Sequence, residues 1–122
     1  MNLKHLTDKT LLNDLKMLVA NERIFLTKIL HHLWEVESRK LYSDLGYPTL
    51  FEYAKRELGY SEAAAGRRIQ AARLIKQNPQ VEKKIESGEI SLSNAASAQR
   101  AFNQINKSDQ PAGIHLQKTV LS

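Results

Sequence analysis

Apolar side chains in the first third of the chain recur in alternating steps of three and four residues. Leu12, Leu15, Val19, Glu22, Leu26, Ile29, Leu33 and Val36 follow that spacing, and seven of these eight are apolar. Leu11, Leu18, Phe25 and Leu30 widen the stripe into a broad face. No glycine or proline occurs before Gly46. The pattern therefore predicts one uninterrupted helix from about Thr10 to Ser38, roughly 40 Å long at about 1.5 Å per residue. A long helix with one apolar face needs a cover, which either the rest of this chain or the same helix of a second copy, as a homodimer, can supply. Glu22, inside the stripe, can set the register of a pairing, meet a basic residue or lie at a solvent-facing edge.

After this segment the pattern breaks into shorter pieces. Gly46, Tyr47 and Pro48 predict a turn, because proline pre-sets the first helical dihedral. A short helix is expected from Pro48 to Leu58, burying Leu50, Phe51, Ala54 and Leu58, with Gly59 closing it in the C′ position. Ser61 suits the N-cap of a helix from Glu62 to about Gln77, since its hydroxyl can accept an orphan amide hydrogen bond and Glu62 favours the positive helix end. Asn78 and Pro79 end that helix. A short helix through Val81, Ile85 and Glu86 stops at Gly88, and a last one begins with Ser91 or Ser93 as its cap. The predicted fold is all-α: a small bundle of about five helices in a single domain over residues 1–106, followed by a flexible tail over 107–122.

Residues 48–77, a helix, a Gly-Tyr-Ser turn and a second helix, have the outline of an embedded helix-turn-helix. A wheel at about 100° per residue puts Ala64, Arg68, Ala71, Ala72 and Ile75 on one side of the second helix. Ala63, Gly66, Arg67, Gln70, Arg73 and Gln77 fall on another. The latter side has groove-reading chemistry: small residues permit close approach, and Arg and Gln can make bidentate contacts to base edges. Arg67, Gln70 and Arg73 are thus expected to face a DNA groove, with Arg68, Lys55, Arg56 and Lys76 on phosphates. The same residues also fit the solvated face of a plain helical corner, so both readings stand at this stage.

Charge sharpens the picture a little. The net charge is +5, and it is unevenly placed: residues 1–60 hold nine Lys/Arg against eight Asp/Glu, whereas residues 61–122 hold nine against five. A basic second half raises the weight of a polyanionic partner such as double-stranded DNA. With 122 residues, 42% of them hydrophobic and 25% charged, the composition is that of one ordinary globular unit.

Other chemistry is sparse. The chain has no cysteine, which removes disulfides, thiolate ligands and cysteine nucleophiles together. His31 and His32 are adjacent and point about 100° apart on a helix, so they cannot act as an i, i+4 metal pair. No Ser-His-Asp arrangement or glycine-rich phosphate loop is readable. Trp34 and Tyr42 read as packing residues. The expectation is a non-enzymatic protein with no cofactor, no metal and no small-molecule substrate. Lys4, Asp8, Lys9, Asp14 and Lys16 interrupt the N-terminal leucines, leaving no apolar leader and no membrane span, which points to a cytoplasmic protein.

Several of these features occur together in a known order. Arg39-Lys40-Leu41-Tyr42, Gly46-Tyr47, Leu50-Phe51-Glu52-Tyr53, Leu58-Gly59-Tyr60-Ser61, Ala65 with Arg67-Arg68-Ile69, Pro79 and Gly88-Glu89-Ile90-Ser91-Leu92 span roughly residues 29–96. In this arrangement the chain resembles the helical N-terminal region of bacterial HNH endonuclease-like proteins. A more distant likeness is to the helix-turn-helix of ParB-type partition proteins, where a serine-capped helix with arginines precedes a Gly-Glu-Ile-Ser-like segment. Both resemblances imply a DNA partner. The nuclease activity does not carry over, because a His-Asn-His metal site has no counterpart here: only His115 lies beyond His32. The expectation is the DNA-binding part of a longer protein or a stand-alone relative.

Overall fold

The computed structural model describes residues 1–108 and is all-helical over them, with six helices. The first, α1 (Asp8–Arg39), has 32 residues, and it is about 48 Å long at about 1.5 Å per residue. Thr7 caps it by accepting from the Thr10 amide at 3.2 Å, Asp8 sits in the positive first turn, and Lys40 ends it in the left-handed region at φ 54°. The chain then forms α2 (Leu41–Asp44), α3 (Leu50–Arg56), α4 (Glu62–Gln77), α5 (Val81–Ser87) and α6 (Leu92–Ser108).

The central element is α4. It lies against α1, α3, α5 and α6, with its most extensive contact to α6. That role follows from its composition: Ala65, Ala71 and Ala72 are buried alongside Ile69, Leu74 and Ile75. Alanines on α4 face a helix that is itself alanine-rich, with Ala95 and Ala96 buried on α6, so the two backbones can approach closely before Phe102 fills the remaining space. Leu30 and Leu33 from α1, Leu50 and Ala54 from α3, and Val81 and Ile85 from α5 complete the core.

Several local expectations are corrected. Pro48 lies outside α3, whose N-cap is Thr49, accepting from the Glu52 amide at 3.1 Å. The helix ends at Arg56 rather than Leu58. Backbone bonds from Leu58 to the Tyr53 carbonyl and from Tyr60 to the Ala54 carbonyl turn the chain early, and Leu58 is left 45% exposed instead of buried. Gly59 adopts φ +80° within this turn, beyond the C′ position. The one-turn α2 adds a sixth helix to the expected five. Of the two serines offered as caps for the last helix, Ser91 performs the role, accepting from the Asn94 amide at 3.0 Å. Residues 107 and 108 belong to α6, and the rest of the expected tail, 109–122, lies outside the described residues.

Only half of α1 is built into this domain. From Thr27 onward it is packed: Thr27, Leu30 and Leu33 are buried, Leu26, Trp34 and Val36 pack against the core, and the Thr27 hydroxyl donates to the Ile24 carbonyl at 2.8 Å and bonds Glu86 of α5 at 3.1 Å. Before Leu26, every residue of α1 is exposed except Arg23, which is half-buried. Residues 8–25 therefore form an arm extending beyond the bundle.

Candidate functional site

The arm keeps its apolar face without covering it. Leu12 is 60% exposed, Leu15 57%, Met17 64%, Leu18 65% and Phe25 62%. Except for Met17, these belong to the stripe that becomes core at Leu30 and Leu33. The face does not end with the arm. Phe25 and Ile29 continue into a groove of about 640 Å³ between α1 and the α3–α4 turn, whose far wall is Tyr53, Leu58 and Tyr60. A second recess of about 630 Å³, lined by Leu18, Leu26, Ile29 and Leu92 with Arg68 at its edge, opens beside it. The apolar surface thus runs from the arm onto the domain, and the exposed Leu58 is part of it.

The residues expected to contact DNA are distributed around α4, mostly in contacts within the domain. Arg73 makes a two-pronged ion pair with Glu37 of α1, both bonds at 3.1 Å, and both side chains are half-buried. Gln70 points to the opposite neighbour, accepting from the Asn103 amide of α6 at 3.1 Å. Arg68 stacks 4.6 Å over the Tyr60 ring and donates to the Ala64 carbonyl at 3.2 Å. Lys55 bridges Glu62 at 3.0 Å and Glu52 at 3.8 Å, and Arg56 pairs with Glu52 at 3.1 Å. Lys76 lies 5.8 Å over the Trp34 ring. Arg67 alone of the seven has no ion pair, hydrogen bond or ring contact among the described residues, and it is half-buried. The helix wheel grouped Arg67, Gln70 and Arg73 on one side. Because α4 has neighbours on several sides, that side is shared between α1 and α6.

One basic residue that the sequence reading did not single out approaches α4 at Gly66, the residue before Arg67. The guanidinium of Arg100, on α6, lies against Gly66: a Cβ there would stand 3.4 Å from its Nη2. α6 carries no Asp or Glu at all, so this part of the surface holds two arginines with no carboxylate from that helix. The signal was readable as a carboxylate-free helix, but its pairing with α4 was not.

Titratable chemistry is modest. Tyr47 donates its hydroxyl to Glu57 at 2.9 Å, and that hydrogen bond to a carboxylate holds the phenol above its usual pKa. His31 of α1 pairs with Glu82 of α5, tying the packed half of α1 to the bundle. No three His, Asp or Glu side chains come together as a metal site among the described residues, and no described helix is long and apolar enough to cross a membrane. Searches of protein-family models, curated proteins and solved structures found no match to this chain.

Proposed function

We propose that this chain is a helical protein-interaction module whose docking element is the N-terminal half of α1. The observation that carries the reading is the contrast within one helix: the stripe that forms core at Leu30 and Leu33 continues uncovered through Leu12, Leu15 and Leu18. An eighteen-residue arm is close to the length at which isolated helices are marginal in water, so about 12–15 residues of helix without tertiary contacts gain little from propensity alone. A contiguous exposed apolar patch of this kind is characteristic of a protein-binding surface. Docking of a helix against a/d-type positions and the adjoining Phe25–Leu58 groove would bury it. A synthetic amphipathic peptide with leucine at both seam positions is the direct probe. It should slow hydrogen exchange in residues 10–24 and leave the bundle unchanged. An arm whose exchange ignores the peptide at saturating concentration, and ignores the protein's own concentration as well, is not a docking element.

A second reading, contact with double-stranded DNA, is supported by Arg67 and Arg100, which lie near Gly66 with no carboxylate on α6, and by the resemblance to DNA-associated proteins. In this reading the contacts are to phosphates, and their number is small. Anisotropy of labelled duplex DNA across a salt series should then give a log–log slope of about −2 for two phosphate contacts. Arg67→Ala combined with Arg100→Ala should abolish the slope; absence of binding at low salt removes this reading. The two functions are compatible, since dimeric modules place two DNA-contacting surfaces on one duplex.

A further inference from the structure

We propose that the recess between the last turns of α1, the start of α3 and the middle of α4 is a binding site for a small aromatic carboxylate. Three aromatic side chains, Trp34, Tyr42 and Phe51, line it above the buried Leu50 and Ile69. Its volume is about 890 Å³, and clefts that take small ligands run from about 300 to 1,000 Å³. The three rings are only half-buried. Lys76 lies over the Trp34 ring and Lys55 over the Phe51 ring, but neither lysine lines the recess. Where the sequence led us to expect packing residues and no small molecule, Trp34 and Tyr42 share an open cleft. None of its lining precedes Trp34, so the site is separate from the arm.

The charges of the lining give the ligand its sign. Glu37 is the single carboxylate there, against the two cations Lys40 and Arg73. Arg73 spends Nε and Nη2 on Glu37, both at 3.1 Å, which fixes the plane of its guanidinium and leaves Nη1 without a hydrogen bond among the described residues. One positive charge is therefore uncompensated, and a carboxylate meets a guanidinium and an ammonium in charge-assisted hydrogen bonds.

Two residues of the same lining break local rules that their counterparts keep. Lys40 is the one non-glycine residue with positive φ among the described residues, at 54°, in a helix-end position where a Cβ is strained and glycine is not. Gly66 is the one glycine inside a described helix, where alanine would hold the helix better. Folding alone favours glycine at the first and alanine at the second. Departures from local propensity that converge on one cleft mark a functional position: a lysine kept at the mouth, and a side chain left out of the wall.

Titration of the intact chain with 3-phenylpropionate, followed by the fluorescence of Trp34, the only tryptophan, tests this. The signal should change saturably. 3-Phenylpropan-1-ol, which has the ring without the charge, and acetate, which has the charge without the ring, should each bind at least about tenfold more weakly. Lys40→Gly should raise the melting temperature by relieving the backbone, yet weaken 3-phenylpropionate by about tenfold, the loss of one charge-assisted hydrogen bond. A lysine with only a structural role cannot move the two readouts in opposite directions. Trp34 also borders a smaller recess towards α5 that Lys40 does not line, so the loss of affinity places the ligand in the larger one. No saturable change with 3-phenylpropionate at millimolar concentration overturns the site. Equal binding of the alcohol overturns the anionic ligand, equal binding of acetate overturns the aromatic one, and unchanged affinity in Lys40→Gly overturns the placement.

Discussion

Leu15 and Leu33 lie on the same line along α1, about five turns apart, and one is 57% exposed while the other is 3%. Between them the surroundings change, not the pattern. From Thr27 on, α1 gives its apolar side to α4 and α5 and fastens its polar side with Thr27–Glu86, His31–Glu82 and Glu37–Arg73. Before Leu26 no side chain of α1 is buried, and Arg23, half-buried against Gly88, marks where the arm leaves the bundle. Amphipathic periodicity determines which side of a helix seeks cover, whereas the identity of the cover depends on how far the remaining chain reaches. Here α3 to α6 reach half-way along α1.

The largest effect expected from this contrast is on core leucines. Leu33→Ala should lower the stability of the monomer by about 2–5 kcal/mol, while Leu15→Ala should change it by no more than about 0.5 kcal/mol, both by urea unfolding at a concentration below association. Comparable losses for the two would mean the arm is folded onto the domain. Next comes the junction between the halves. Gly88 has φ +83° and is in contact with the Arg23 guanidinium, so Gly88→Ala should cost about 1–2 kcal/mol in the left-handed region and displace Arg23 as well. An unchanged melting curve would show that Arg23 is not held there.

A smaller effect separates the two arginines once grouped on one face. A double-mutant cycle on Arg73 and Glu37 should give a coupling of about 1 kcal/mol, whereas Arg67→Ala should stay within about 0.5 kcal/mol. A vanishing coupling would return Arg73 to the free surface. The smallest effect is at Tyr47. Its folded pKa is raised by the hydrogen bond to Glu57, so the bond's contribution is complete below the ordinary tyrosine pKa and is lost as pH rises through the higher folded value. Glu57→Gln should move the phenolate absorbance titration back down, and an unmoved titration would remove Glu57 as the cause.

The all-helical class, the long first helix and the bounds of α4 were legible because periodicity and caps act locally: Ser61 and Asn78 bracket α4 as the residues predict. The exposure of Leu58 was not, since it depends on a turn that ends α3 two residues early through backbone bonds. The partners of the basic residues were no more legible. Glu37 and Arg73 lie thirty-six residues apart, as Gln70 and Asn103 lie thirty-three, and nothing local in either segment announces the other. A wheel drawn for α4 alone treats the helix as having one buried side, but a central helix with neighbours on several sides uses its polar residues to hold those neighbours.

Hydrogen exchange along α1, followed in dilute protein with and without the leucine-seam peptide, tests most directly whether its two halves differ in kind. Residues 27–36 should be protected throughout, and residues 10–24 only with the peptide bound. Protection of residues 10–24 equal to that of 27–36 in the dilute protein without peptide would contradict it.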